Sequence, residues 1–92
     1  MKKQVKGKNP KNAGRTKGKA VSNEVKQLGM RLRELRKIKG YSSYEDFAYT
    51  HDITSSQYFA YEKGKNIEFN TLVRILKAMD VSLKEFFAEG FD

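Results

Sequence analysis

The net charge of this chain is confined to its first twenty positions, and that restricts any folded body to the rest. Lys2, Lys3, Lys6, Lys8, Lys11, Arg15, Lys17 and Lys19 stand there without one acidic side chain, and their +8 equals the net charge of the 92-residue sequence. The other 11 of the 19 Lys and Arg residues balance the 11 Asp and Glu. The same stretch is Lys, Gly and Asn around Pro10, with only Val5, Ala13 and Ala20 as aliphatic side chains. Such a segment buries too little to offset the entropy of ordering it. Residues 1–21 are therefore expected to form a disordered polycationic arm, and residues 22–92 a single small domain. A polycationic arm suits a dense polyanion, because each neutralised phosphate releases condensed counterions.

Several function classes drop out early. The chain has no cysteine, so neither a disulfide framework nor a thiolate zinc site is open to it. His51 is the only histidine and has no second imidazole with which to share a metal. It is expected to end a helix, and no metal or cofactor is expected. No apolar stretch follows Lys2 and Lys3 as a secretion signal requires. The longest apolar run, Tyr58-Phe59-Ala60-Tyr61, is far too short to span a membrane. The expected setting is cytoplasmic, of the bacterial or phage nucleoid-associated kind, with no membrane partner. No nucleophile–base pair, carboxylate cluster or phosphate-binding glycine loop suggests an enzyme.

From Ser22 onward the apolar pattern is helical. Val25, Leu28, Leu32, Leu35 and Ile38 recur at steps of three and four up to Gly40, with Lys26, Arg31, Arg33, Arg36, Lys37 and Lys39 assigned to the opposite face. Ser42 followed by Glu45 reads as a capping box for a short second helix. Thr54 with Gln57 reads as another, stapled by Ile53 and Tyr58, for a third helix stopping at Gly64. Phe69, Leu72, Val73, Leu76 and Met79 mark a fourth. Ser82 with Glu85, stapled by Val81 and Phe86, opens a fifth. The expected helices are residues 23–39, 42–51, 54–63, 68–79 and 82–89. No strand-like alternation or repeat is present, so the fold class is all-α: a compact five-helix domain.

The informative spacing lies between the second and third helices. A turn of about three residues joins them, as in a helix-turn-helix unit whose second helix enters the major groove. Ala48 is small enough to let the two approach. The segments Leu28-Gly29-Met30-Arg31-Leu32-Arg33-Glu34-Leu35-Arg36-Lys37-Ile38-Lys39-Gly40, Ile53-Thr54 through Tyr61-Glu62-Lys63-Gly64, and Leu72 through Ala78-Met79-Asp80-Val81-Ser82-Leu83-Lys84-Glu85-Phe86-Phe87 carry a wider likeness. Together they resemble the lambda-repressor-like (XRE-type, Cro-like) helix-turn-helix family over residues 28–87. The resemblance implies a DNA-binding transcriptional regulator. Two positions depart from the family pattern. Ser42-Ser43-Tyr44 replaces its usual Thr/Ser-Gln opening of the second helix, with one residue more before Ala48. Asp52 stands where glycine is usual in the turn, and Asp tolerates positive φ better than most residues.

At about 100° per residue, Ser55, Ser56, Phe59 and Lys63 fall on one side of the third helix, with Ala60 at its margin. Tyr58 and Tyr61 fall on the core side. The resemblance maps base reading onto Ser55, Ser56 and Ala60, and geometry adds Phe59. Serine bonds any base, and an aromatic ring or a methyl group suits the thymine methyl. Phosphate contacts are expected from Arg36, Lys39, Ser43, Tyr44, Lys63 and Lys65, and from Arg15, Lys17 and Lys19 in the arm. Arg36 and Glu62 correspond to a family pair in which the glutamate orients the arginine, expected here to be exposed. The expected partner is double-stranded DNA, read as a repressor would read it. The staple turns Phe86 inward, leaving Phe87 and Phe91 to join a homodimer on an inverted-repeat site. An antitoxin-like protein with a protein partner, regulating its own operon, is the alternative.

Overall fold

The computed structural model describes residues 21–92; the expected arm, with Arg15, Lys17 and Lys19, lies outside the described residues. Five helices follow one another: α1 (Asn23–Ile38), α2 (Tyr44–Thr50), α3 (Ser55–Glu62), α4 (Phe69–Met79) and α5 (Leu83–Phe87). Ser22, Ser43 and Ser82 cap α1, α2 and α5 by accepting from the backbone N–H three residues on. The cap of α2 is therefore Ser43, not Ser42. Tyr41 packs edge-on against Phe47 at 5.2 Å and bonds His51 at 3.0 Å. Those contacts hold the chain away from helix until Ser43, which is still extended, so the extra residue is absorbed in the loop. Thr54 occupies the cap position of α3 without a side-chain bond; the Gln57 amide donates instead to the Tyr61 hydroxyl at 2.9 Å.

The first four helices end in one way. Past each, a residue at positive φ turns the chain back, and the next residue's N–H donates to a carbonyl five positions earlier: Tyr41 to Arg36, Ile53 to Ala48, Lys65 to Ala60, Val81 to Leu76. Gly40 and Gly64 supply the left-handed residue after α1 and α3; Asp52 (φ 57°) and Asp80 (φ 60°) supply it after α2 and α4. The tight α2–α3 and α4–α5 connections share a further economy. Ile53 and Val81 each close one helix and turn inward as the hydrophobic staple of the next, opposite Tyr58 and Phe86.

The core is Leu32 and Leu35 of α1, Phe47 and Ala48 of α2, Tyr58 and Tyr61 of α3, and Leu72, Ile75, Leu76 and Met79 of α4, closed by Val81 and Phe86. Two periodic apolar positions, Ile38 and Phe69, and two cations, Arg31 and Arg36, depart from expectation. Ile38 is 67% exposed, because the turn at Gly40 brings Tyr41 back over the core in its place. Phe69 is also exposed; it is the first residue of α4 and projects beyond the core, and the buried stripe runs through Ile75. Arg31, placed on the solvent face by its charge, is buried. Its Nε donates to the Phe86 carbonyl and one Nη to that of Glu85, both at 2.8 Å. It thus binds α1 to the end of α5.

Helices α1 and α3 meet backbone to backbone. A Cβ placed on Gly29 would lie 2.5 Å from the Tyr61 carbonyl oxygen and 2.7 Å from that of Glu62. Glycine is required there, and a methyl group cannot be accommodated without moving α3. Helix propensity alone favours Gly→Ala by about 1 kcal/mol. Gly29→Ala is expected to do the opposite and destabilise by about 1–3 kcal/mol, the usual cost of overpacking. The shift of the urea midpoint measures it, and a stabilised variant would mean that the two helices do not meet at Gly29.

Candidate nucleic-acid interface

Helix α3 lies against both α1 and α2, and its two sides differ in kind. Tyr58, Tyr61 and Glu62 are buried, whereas Ser55, Ser56, Phe59 and Lys63 are exposed and Ala60 is half-buried. The helix therefore presents the side chains assigned to base reading on one outward surface. With no side-chain acceptor from Thr54, the first-turn N–H groups of α3 retain their capacity to bond an anion.

What fixes the helix is an ion pair. Arg36 Nε donates to Glu62 Oε2 at 2.7 Å, and an Nη donates to Oε1 at 3.2 Å. The other Nη donates to the Tyr41 carbonyl at 2.6 Å. The hydrogen bond to Glu62 holds the guanidinium even further above its ordinary range, against the opposing effect of burial. The sequence leads one to expect an exposed pair, with Arg36 turned toward a phosphate. Both side chains are instead almost fully covered, 4% and 3% exposed, with the Tyr41 carbonyl and Tyr58 beside Arg36. Arg36 is thus a brace between α1, the following loop and α3, with little surface to offer a phosphate. Beside it the buried Tyr58 hydroxyl has no partner at hydrogen-bonding geometry. Burial, and then the Glu62 carboxylate, push its phenol well above the usual tyrosine range, so it stays neutral and adds no charge to the site.

A second brace works on the outer surface. The Tyr44 ring at the start of α2 lies on that of Phe59, with centroids 4.4 Å apart and planes tilted by 34°. Lys63 Nζ stands 5.3 Å from the Phe59 centroid, within cation–π range. Phe59 nonetheless stays 37% exposed: packed along one side, open on another. Tyr44 and Ser43 are half-buried at the head of α2, and the Ser43 oxygen is engaged as the cap of α2. Lys65 is exposed in the turn after α3. Lys39 reaches the far end of α4, with Nζ 3.5 Å from the Asp80 carbonyl. Phe87 is exposed, but Phe91 is half-covered, against Phe86 at 5.8 Å and Phe87 at 4.9 Å, so the apolar surface there is mainly Phe87 and Leu83.

The energetic consequence of the ion pair is asymmetric. Removing one partner strands a charge in the interior, which costs about 3–5 kcal/mol, whereas replacing both by apolar groups is far milder. Arg36→Ala is therefore expected to lose most of the stability of so small a domain. Arg36→Met combined with Glu62→Leu should recover much of it in urea unfolding. A cost below about 1 kcal/mol for the single variant is the behaviour of a surface pair and would contradict the burial described above.

A helix-turn-helix domain family matches residues 29–89, spanning α3 and the elements that brace it. No curated protein sequence matches the chain. Among solved structures, that of the restriction-modification controller protein C.AhdI from Aeromonas hydrophila is similar at 30% identity with a TM-score of 0.64. The match covers 72% of this chain and 100% of that one. With the five-helix order, the tight α2–α3 turn and the outward face of α3, these matches identify the chain as a member of the XRE-like helix-turn-helix family.

Proposed function

We propose that the chain is a sequence-specific DNA-binding transcriptional regulator acting as a repressor, with α3 in the major groove. The observation that carries this reading is the outward face of α3. Ser55, Ser56 and Phe59 stand exposed on a helix held from behind by the Arg36–Glu62 pair, so its reading groups are set before DNA arrives. The similar solved structure is that of a controller protein, which favours gene regulation as the use of that face. Ser43, Tyr44, Lys63 and Lys65 flank α3 as phosphate contacts, and Lys39 adds one beyond it. Arg15, Lys17 and Lys19 add charge from the basic segment. Arg36 acts from inside, by holding α3.

The charge division separates affinity from choice of sequence. Removal of residues 1–20 takes away all of the net charge. It is expected to weaken binding to every duplex and flatten its salt dependence, by about 0.9 in log–log slope for each phosphate no longer neutralised. Ser56→Ala is expected to change which duplexes are enriched from a random pool. A truncated protein with its full salt slope would remove the basic segment from the binding account. Unchanged selection by a folded Ser56→Ala variant would remove that side chain from base reading.

Leu83 and Phe87 lie four residues apart on α5, both exposed, and so share a helical face. Such a face suits an isologous contact between two copies, which sets two recognition helices about one DNA turn apart on an inverted repeat. Phe91 contributes at the margin. Sedimentation of the wild type and of Phe87→Asp, each with and without a selected duplex, tests this: two copies per site are expected for the first and one for the second. A wild type that binds only as a monomer rules the contact out.

A further inference from the structure

The outward surface of α3 is short of the groups that read purines. Ser55 and Ser56 are small hydroxyls, and Ala60 is a methyl group. The nearby amide, Gln57, is engaged with the Tyr61 hydroxyl at 2.9 Å. No arginine or asparagine stands on this face to grip guanine or adenine through two hydrogen bonds, and its one cation, Lys63, lies at the edge of the face with Nζ 5.3 Å from the Phe59 centroid. What it carries instead is one large apolar group. Phe59 is 37% exposed, and Tyr44 stacks on it at 4.4 Å. An aromatic ring already immobilised by its neighbours loses little further rotamer freedom on binding.

We propose that the Tyr44–Phe59 pair reads the C5-methyl group of a pyrimidine in the major groove, taking thymine and 5-methylcytosine alike. The inference rests on α3 being the major-groove helix and adds the chemical group that it reads. The C5-methyl is the one apolar feature a base pair shows in that groove. A fixed aromatic surface covers it without needing a hydrogen bond, and Ser55 or Ser56 can bond whichever exocyclic group lies beside it. Unmodified cytosine leaves the same surface against a bare C5–H. Methylation at C5 puts a methyl group where thymine carries its own, so binding by this protein responds to cytosine methylation at the read position. Phe59 supplies the contact, and Tyr44 is a positioning residue that acts through it.

The test begins with a duplex enriched from a random pool by the full chain. Each thymine is replaced in turn by deoxyuridine, which deletes the methyl group and keeps every hydrogen-bonding atom. One position is expected to weaken binding about fourfold, the worth of one buried methyl group. When that T·A pair is exchanged for C·G, methylating the cytosine at C5 should strengthen binding by the same factor. Phe59→Ala should bring both ratios within about twofold of unity. Tyr44→Phe, which keeps the stacked ring, should preserve the ratios even where it weakens all duplexes together, and Tyr44→Ala should lose them. Melting curves establish that the variants are folded; if Phe59→Ala is not, the wild-type series decides alone. If no deoxyuridine changes affinity by more than about twofold while Ser56→Ala still alters the selected sites, α3 reads DNA but not through a methyl group, and the inference falls. If no duplex is enriched at all, the DNA-reading function falls and the inference with it.

Discussion

The rest of the molecule depends on how α3 is held against α1. Two contacts on one face of α1, seven residues apart, define that relation. At Gly29 the backbones of the two helices meet with no side chain between them, which sets their separation. Two turns further on, Arg36 grips Glu62 through two hydrogen bonds, which sets the rotation of α3 about its axis. A glycine alone would let α3 slide or roll, and an ion pair alone would tolerate a longer reach. Together they leave one arrangement, and that arrangement turns Tyr58 and Tyr61 inward and Ser55, Ser56 and Phe59 outward. Desolvating two charges is costly. Here the third guanidinium nitrogen donates to the Tyr41 carbonyl, so the pair also ties down the loop that leads into α2.

Most helix ends were legible in the sequence because their chemistry is local, although α5 stops at Phe87 and not at residue 89. Gly40 and Gly64 stop helices through a conformation that glycine adopts without strain. Ser22 and Ser82 announce starts through bonds to N–H groups three residues away. The sequence even writes the tight turn twice, as Asp52-Ile53-Thr54 and Asp80-Val81-Ser82, each followed by Gln57-Tyr58 or Glu85-Phe86. At α2 two adjacent serines, Ser42 and Ser43, offer the same local signal, and Ser43 is the cap. Packing around a loop tyrosine, which no local signal announces, decides between them.

The buried cations were not legible, for a different reason. Arg31 and Arg36 lie on α1 with Arg33 and Lys37, and nothing in type or spacing separates those that stay in water from those that do not. Arg31 donates to the Phe86 and Glu85 carbonyls as well as to Glu34, and Arg36 to the Tyr41 carbonyl as well as to Glu62, the partner that the family resemblance names. A backbone carbonyl leaves no trace in a sequence. Gly29 is similar: a glycine inside a helical pattern reads as tolerated until a second backbone is found against it. At the candidate interface the helical wheel sorted α3 into its two sides, since that depends only on α3 itself. The stack of Tyr44 on Phe59 escaped it, since that depends on where α2 begins.

These two kinds of information have different consequences for the surface of α3. Helical phase alone would put a free phenylalanine among serines, where it would lose side-chain entropy on meeting any partner. The tertiary contact changes that: the ring is held by Tyr44, which is itself fixed at the first position of α2 behind its Ser43 cap. The α2–α3 turn then transmits the placement, because Ile53 donates back to the Ala48 carbonyl of α2 and is also the inward anchor of α3. A change in the loop before α2 therefore reaches the exposed edge of Phe59 through a chain of packed groups, although it touches no outward residue of α3. The Ser42-Ser43-Tyr44 segment works in this way: the packing of Tyr41 leaves Ser43 as the cap, and that cap puts Tyr44 at the first position of α2, 4.4 Å from Phe59.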